Sequence, residues 1–198
     1  MAAEIQPAPA LVVLHSLRVV GFIDLVPLVA RTGLPPDDVT PVLNDLVERA
    51  LARRRDGRVA GWALTGAGQE EHGRRLAEAS AALPRSAVET GYERFVDCND
   101  ELKQLCTDWQ LGGDRGTTAP ALAAFAGRAE PVADTLGRLV PWMARYGERL
   151  RAAARRFAAG DDHALTRPLS GSYHDVWMEL HQDLLLTLGR ERSAADGH

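Results

Sequence analysis

Hydrophobic residues recur at helical spacing along most of the chain, and the main exception is a short stretch in the first half. Two apolar segments come first, residues 11–20 and 22–32, and each is closed by a glycine, as helices often are. A third stripe, from Val39 to Ala50, repeats at i, i+4, i+7, i+8 and i+11. We expect its helix to begin at Asp38, with Pro41 in the first turn.

The pattern changes in the following residues, where two short β-type segments flank the dipeptide Asp56-Gly57. Because Asp-Gly between such segments is a strong hairpin signal, residues 52–55 and 59–64 are predicted to pair. Thr65 then suits the N-cap of a polar helix that runs from Gly66 to about Leu83. The predicted order is therefore helix, helix, helix, hairpin, helix.

The remaining chain is predicted to be almost entirely helical, in a second domain. Periodicity lapses first over residues 84–91, which we expect to form a joint between the two domains, 1–83 and 84–198. The predicted elements of the second domain are a helix over 92–109, a loop from Gly112 to Pro120, at least two helices within 122–157 with starts or kinks at Pro131 and Pro141, and a last helix from about Ser172 that ends in a disordered tail, SAADGH.

Composition and charge restrict the functional classes. The 198 residues are 45% hydrophobic and 25% charged, and no segment has the pattern of a secretion signal or a membrane span. We therefore expect a cytoplasmic protein without membrane partners. A net charge of -4 argues against coating of nucleic acid by bulk charge, so such binding would need a local basic patch. The densest patch lies between Arg49 and Arg58.

The segment LVARTGLPPDDVTPVLNDLVERALARRRDGRVAGWALTGAGQ resembles the core of MarR-type winged helix-turn-helix regulators. In that family the recognition helix leads into the wing through Leu-x-x-x-Gly-Leu-Val-x-Arg, and Leu-Thr-x-x-Gly follows the wing. Here the matching runs are residues 46–53, where Ala50 replaces the usual glycine, and residues 64–68. The resemblance covers about residues 11–82. It implies a mainly α fold, in which a winged helix-turn-helix with a small β-hairpin precedes an α-helical C-terminal domain.

The same resemblance implies a DNA-binding transcriptional regulator, expected as a homodimer on double-stranded DNA. The helix near 38–50 would enter the major groove, and the wing over 53–64 would reach phosphates or the minor groove. The candidate DNA-binding residues are Thr40, Pro41 and Asn44 on that helix, and Arg49, Arg53, Arg54, Arg55 and Arg58 in or beside the wing.

A second interpretation stays open, because residues 1–83 contain nine arginines but ten acidic residues. A winged helix can also serve as a protein-docking surface. The second half of the chain is similar to helical domains that accompany winged helices in actinobacterial regulators, some of which are linked to phosphoenolpyruvate-utilising domains. The alternative is therefore a module that docks onto an enzyme such as a phosphoenolpyruvate-utilising partner.

The helical domain carries polar residues on otherwise apolar faces, which is typical of a pocket for a small-molecule effector. Such pockets have aromatic walls and a few convergent polar groups. A bundle core with satisfied polar residues is the other interpretation. The candidate ligand-binding residues are Asn99, Trp109, Tyr146, Tyr173, His174, Trp177 and His181.

Other chemistry is not predicted. The chain lacks a Gly-rich phosphate loop, a Gly-x-Ser-x-Gly and a His-Glu-x-x-His motif, so neither enzyme activity nor a cofactor is expected. His174 and His181 lie two helical turns apart, about 10 Å, which disfavours a shared metal. Cys98 and Cys106 would lie about 12 Å apart along one helix, so free thiols are expected. Trp62 is expected to anchor the wing by packing rather than to stack on bases.

Overall fold

The computed structural model describes residues 8–190, which separate into two compact units between Leu83 and Pro84. The molecule is mainly α-helical, and its two strands form one antiparallel hairpin within the described range. The mainly α class and the small hairpin are thus confirmed. The predicted tail at residues 193–198 lies outside the described residues. Over residues 8–190, every helix is too short or too polar to cross a bilayer.

The first unit contains helices and the hairpin in the order that the sequence predicts. A core of buried aliphatic side chains holds them together, and Trp62 packs half-buried against it, the anchoring role predicted from the sequence. The elements are α1 (Pro9–Val20), α2 (Leu25–Thr32), α3 (Pro36–Glu48), β1 (Ala52–Arg55), β2 (Gly61–Leu64) and α4 (Gly66–Ser80). The core residues are Val13, Leu14, Leu17, Ile23, Leu28, Val39, Leu43, Leu46, Leu51, Ala52 and Leu64.

Two predicted helix starts are wrong. Helix α2 begins at Leu25 rather than at residue 22, because Ile23 is extended and exchanges two backbone hydrogen bonds with Trp62, at 3.1 and 2.9 Å. Helix α3 begins at Pro36, so Asp38 does not cap it and Pro41 lies in its second turn. Proline is favoured at the first helical position because its φ is already helical and its missing N–H would be unpaired there.

The hairpin is also shorter than predicted. Its register pairs Ala52 with Leu64 and Arg55 with Gly61, so the loop comprises the five residues 56–60 and β2 does not begin at residue 59. Val59 is 53% exposed and lies in that loop. Because Val59 is not covered by the core, its β-type side chain adds little to strand pairing.

The two connections of the hairpin, to α3 before it and to α4 after it, are held by close backbone contacts. Thr65 caps α4, as predicted, and its hydroxyl accepts a hydrogen bond from the Gly68 N–H at 3.0 Å. A Cβ atom at Gly68 would lie 1.8 Å from the carbonyl oxygen of Leu51. The glycine of the Leu-Thr-x-x-Gly motif is therefore required by the close approach of two backbone segments.

A buried pair of histidines links α1 to α4. The Nδ1 atom of His15 lies 2.9 Å from Nε2 of His72, and both side chains are at most 4% exposed. Burial, and then the charges of His15 and Arg18, lower the pKa of His72 to about 3. His72 is therefore neutral at neutral pH, and its ring shares a hydrogen bond with the ring of His15.

The second unit is entirely helical over the residues that the structure describes, and it differs from the prediction mainly at its boundaries. Its elements are α5 (Arg85–Asp97), α6 (Asn99–Gln110), α7 (Arg115–Leu139), a short 3-10 helix (Pro141–Met143), α8 (Tyr146–Ala158), α9 (His163–Thr166) and α10 (Tyr173–Leu188). The start of the last helix near Ser172 is confirmed, since the Ser172 hydroxyl caps α10.

The two units separate at Pro84, where the predicted joint begins, but the joint does not extend to residue 91, because α5 begins at Arg85. Gly91, which interrupts the periodicity, lies on the buried face of that helix. A Cβ atom there would lie 2.6 Å from Cδ2 of Leu136 in α7. This glycine thus permits close packing of two helices rather than a change of direction.

Three further boundaries were wrongly predicted. The helix expected over 92–109 is in fact two helices that meet at Cys98. The backbone of Cys98 keeps nearly helical angles, so the break needs no glycine or proline that would mark it in the sequence. The loop expected over 112–120 is shorter, because the Asp114 side chain caps α7. Helix α7 continues through Pro120 and Pro131, which are both exposed, whereas Pro141 does start a new helical turn.

We expect Gly68→Ala to lower the free energy of unfolding of the first unit by about 3 kcal/mol, the upper range for overpacking against atoms that cannot move away. Gly73→Ala in the same helix is the matched control, because a Cβ there meets no atom within 4 Å. It should stabilise the unit by roughly 0.5–1 kcal/mol. Urea denaturation, with hydrogen exchange of the α4 amides, would measure the change in unfolding free energy of each variant. Equal changes in Gly68→Ala and Gly73→Ala would contradict the close approach of Gly68 to Leu51.

The His15–His72 pair predicts that the first unit loses stability in acid. Since the pKa of His72 is lowered to about 3 in the folded chain, only the unfolded chain takes up this proton between pH 6.5 and 3. Stability is thus complete above pH 6.5 and falls below it, by at most about 1.4 kcal/mol per pH unit.

The measurement for the histidine pair is the free energy of unfolding at pH 7 and pH 5, for the native chain and for His72→Gln. The native chain should lose about 1–2 kcal/mol more than the variant over this interval. An identical pH dependence of the two proteins would show that His72 is not held neutral by burial.

Candidate functional site

Helices α2 and α3 are joined by a short turn of three residues, Gly33 to Pro35. Gly33 has a φ of 69° and its N–H bonds to the carbonyl oxygen of Val29 at 3.0 Å, as in a left-handed helix C-cap. The two helices pack against each other. Within the first unit, α2 and α3 are therefore two packed helices connected by a glycine-containing turn of three residues.

The solvent face of α3 carries the three predicted helix residues, Thr40, Pro41 and Asn44, and all of them are exposed. The Thr40 hydroxyl is engaged, because it donates to the carbonyl oxygen of Pro36 at 3.0 Å. The Asn44 amide makes no hydrogen bond to other residues in the described range. Acidic side chains are exposed on the same helix, namely Asp37, Asp38, Asp45 and Glu48.

The hairpin places its arginines on two different faces. Successive residues of a strand point to opposite sides of a sheet, so Arg53 and Arg55 lie opposite the face of the buried Ala52. Arg58 is exposed in the loop. Among residues 8–190, none of these three arginines has an ion-pair partner, so their full positive charge faces solvent.

The other two predicted arginines are engaged in contacts within the unit. Arg54 lies across from Trp62, with its guanidinium carbon 5.4 Å from the centre of the indole ring, and it donates to Asp56 at 2.8 Å. Arg49 lies 3.3 Å from Asp45 and 3.8 Å from Glu71. Both are more than 40% exposed, so each contact stabilises the chain only slightly.

In the second unit, four of the seven predicted ligand residues lie in one aromatic cluster. Trp177 stacks on Phe95 with ring centres 4.2 Å apart, and its indole N–H donates to Oδ1 of Asn99 at 3.2 Å. His181 lies 5.3 Å from the ring of Phe95. Tyr173 joins the cluster through Phe125, 6.0 Å away. These rings fill the space between α5, α7 and α10, so the cluster is densely packed.

The hydroxyl of Tyr173 is the exception within this cluster. The side chain is fully buried, and the oxygen has no hydrogen-bond partner among the residues that the structure describes. Burial, followed by the charge of Glu130, raises the pKa of Tyr173 far above its usual value. The phenol is therefore neutral and available as a donor.

Tyr146 belongs to a separate polar network. Its side chain is buried, it is hydrogen-bonded to Asp183, and burial together with that carboxylate raises its pKa well above 10. Asp183 is 1% exposed and also accepts from the Thr187 hydroxyl at 3.3 Å. Nearby, the guanidinium of Arg149 lies 5.3 Å from the Tyr146 ring and pairs with Glu179.

The remaining two predicted ligand residues lie outside both groups. Trp109 is half-buried and contacts Phe157 edge-on at 4.9 Å. His174 is half-buried, and burial lowers its pKa despite the opposing charge of Asp175. The seven candidates therefore occupy separate places rather than one continuous wall.

Neither cysteine is positioned for reactivity. Both thiols are free, and burial raises the pKa of Cys98 and raises that of Cys106 to about 12. Residues 8–190 contain no group of three or more His, Cys, Asp or Glu side chains that could hold a metal ion.

Apart from Tyr146, the polar network around Asp183 is the part of the second unit that sequence reasoning missed. Asp183 interrupts an apolar helix, which is a usable signal. Its partner Tyr146 and the Arg149–Glu179 ion pair join residues at least 30 positions apart, and a single sequence gives no information on such pairs.

Comparison with known proteins returned no match, whether the search covered protein-family models, curated proteins or solved structures.

We expect Tyr173→Phe to leave the free energy of unfolding unchanged or to raise it by up to about 1 kcal/mol, because the lost hydroxyl has no partner. Tyr146→Phe is the control, since it breaks a buried bond to Asp183 and should cost about 1–3 kcal/mol. Denaturant titration of both variants provides the comparison. Equal losses would mean that the Tyr173 hydroxyl is paired in solution.

Proposed function

We propose that this chain is a DNA-binding transcription regulator whose first unit is a winged helix-turn-helix. In this proposal α3 is the recognition helix and the β1–β2 hairpin is the wing. The observation that carries the proposal is a group of three exposed arginines that have no ion-pair partner among residues 8–190, on a hairpin that packs beside α3. They are Arg53, Arg55 and Arg58.

The geometry of α2 and α3 supports this function. In helix-turn-helix proteins the first helix crosses the DNA backbone, and the N-terminal part of the second helix contacts base edges in the major groove. Thr40, Pro41 and Asn44 lie in the first three turns of α3 and are solvent-exposed. The Asn44 side chain can bond an adenine edge through both of its polar atoms.

The charge distribution limits which arginines act on DNA. Arg53, Arg55 and Arg58 can approach phosphates directly, because no carboxylate in the described chain neutralises them. Arg49 and Arg54 already hold acidic partners, so their net contribution to phosphate binding is smaller. Direct contacts to phosphate position a protein on the duplex, whereas base contacts provide its specificity.

The second unit would provide regulation, as a site for a small-molecule effector, as a dimerisation surface, or as both. Its buried Asn99, Tyr173 and His181 offer polar groups within an aromatic cluster, which is the composition of many effector sites. An effector that prefers one arrangement of these helices would shift the population of DNA-binding forms.

A second function is favoured by one specific observation, the four exposed acids on α3. Asp37, Asp38, Asp45 and Glu48 repel phosphate, and only Asp45 has a cationic partner in the described chain. The same face would suit a basic surface of another protein. In that case the first unit is a docking module, for example for an enzyme partner that uses phosphoenolpyruvate.

Salt-dependent binding to a random-sequence duplex tests the proposed function. The full chain should bind at about 50 mM salt, and log Kd should rise with log salt concentration because condensed counterions are released. Substituting Arg53, Arg55 and Arg58 together with alanine should reduce the slope by as much as about 2.7, since each lost phosphate contact accounts for about 0.9. Fluorescence anisotropy measures both quantities.

The control variant is Arg94→Ala, which removes one exposed arginine from α5 in the second unit. It should leave the salt slope of duplex binding unchanged. Absence of duplex binding by the folded native chain at low salt would reject the DNA-binding function and would favour the docking function.

A further inference from the structure

The chain reverses direction at Ala50, between the end of α3 and the start of β1. Ala50 has a φ of 55°, in the left-handed region that residues with a Cβ atom seldom adopt. Non-glycine residues in this region persist only where surrounding contacts hold them. The contacts that hold Ala50 therefore also fix the direction in which the hairpin leaves α3.

The N–H groups of Ala50 and Leu51 bond back to carbonyl oxygens of α3, and Thr65 adds contacts from the far end of the hairpin. Its hydroxyl donates to the carbonyl oxygen of Ala50 at 2.7 Å, and its backbone N–H donates to the carbonyl oxygen of Leu51 at 3.0 Å. The same hydroxyl accepts from the N–H of Gly68, in the first turn of α4. One side chain thus connects the end of α3, the start of β1 and the start of α4.

The other end of the hairpin is held from outside α3, by the close approach of Gly61 to the backbone of Ile23. Its strands have four residues each and its loop is exposed, and isolated two-stranded hairpins are only marginally stable. The backbone bonds between Ile23 and Trp62 hold β2, but they involve neither α3 nor its C-terminus. The angle between α3 and the hairpin therefore depends on the junction at Thr65 together with the packing of β1 on α3 and of β2 on α1.

We infer that Thr65 is a positioning residue for DNA binding, and this inference rests on the proposed function. Thr65 makes no contact with the duplex itself. It holds the hairpin at the angle at which Arg53, Arg55 and Arg58 meet phosphates while Asn44 faces the bases. Loss of the hydroxyl loosens this angle in a unit that stays folded, so affinity decreases more than stability alone would explain.

The test compares Thr65→Val, which keeps the shape of the side chain but removes its hydroxyl, with Thr65→Ser, which keeps the hydroxyl. Thr65→Val should weaken binding to the random-sequence duplex about tenfold, the effect expected when one arginine no longer reaches its phosphate. Its salt slope should fall by about 0.9 for each phosphate contact that the loosened hairpin no longer makes. Thr65→Ser should bind within about twofold of the native chain.

Ala77→Gly is the stability-matched control, because it weakens the exposed interior of the same helix and lowers the melting temperature by a few degrees. All proteins are measured at 20 °C, well below their melting temperatures. If Thr65→Val binds like the native chain, or no more weakly than Ala77→Gly, the positioning role is rejected while the DNA-binding function stands. If the native chain itself does not bind duplex, both proposals fail together.

Discussion

The structure of the first unit depends on one constraint, the close approach of the Leu51 carbonyl group to the N-terminus of α4. At this point three segments meet within hydrogen-bond distance, and there is no room for a side chain at Gly68. Buried backbone groups must find partners, and here the Thr65 hydroxyl and backbone provide them. The helix α3, the hairpin and α4 consequently form one unit, in which none can tilt without breaking bonds of the other two.

Most of this unit could be predicted from the sequence, because its signals are local. Thr65 is a strong helix cap, Asp56-Gly57 is a strong turn, and the stripe from Val39 to Leu46 has one period throughout. The errors occurred where a distant residue decides the structure. Ile23 looks like part of a helix by its spacing, but pairing with Trp62, 39 positions later, keeps it extended.

The second unit was less predictable for the same physical reason. Gly91 and Pro131 interrupt the sequence pattern, yet the first permits close contact with Leu136 and the second lies exposed in a continuous helix. Local propensities describe isolated segments, whereas tertiary packing decides whether an interruption ends a helix. The candidate ligand residues show this as well, since their types suggested one pocket and the packing distributes them over separate groups.

The high thiol pKa values of Cys98 and Cys106 have a practical consequence for work on this molecule. Thiolates are the reactive form of cysteine, so two thiols that stay protonated at neutral pH react slowly with maleimides and iodoacetamides. A cysteine introduced in the exposed hairpin loop would be modified far faster than either native thiol. Spectroscopic probes can therefore be attached to the hairpin in the native background, with both original cysteines kept in place.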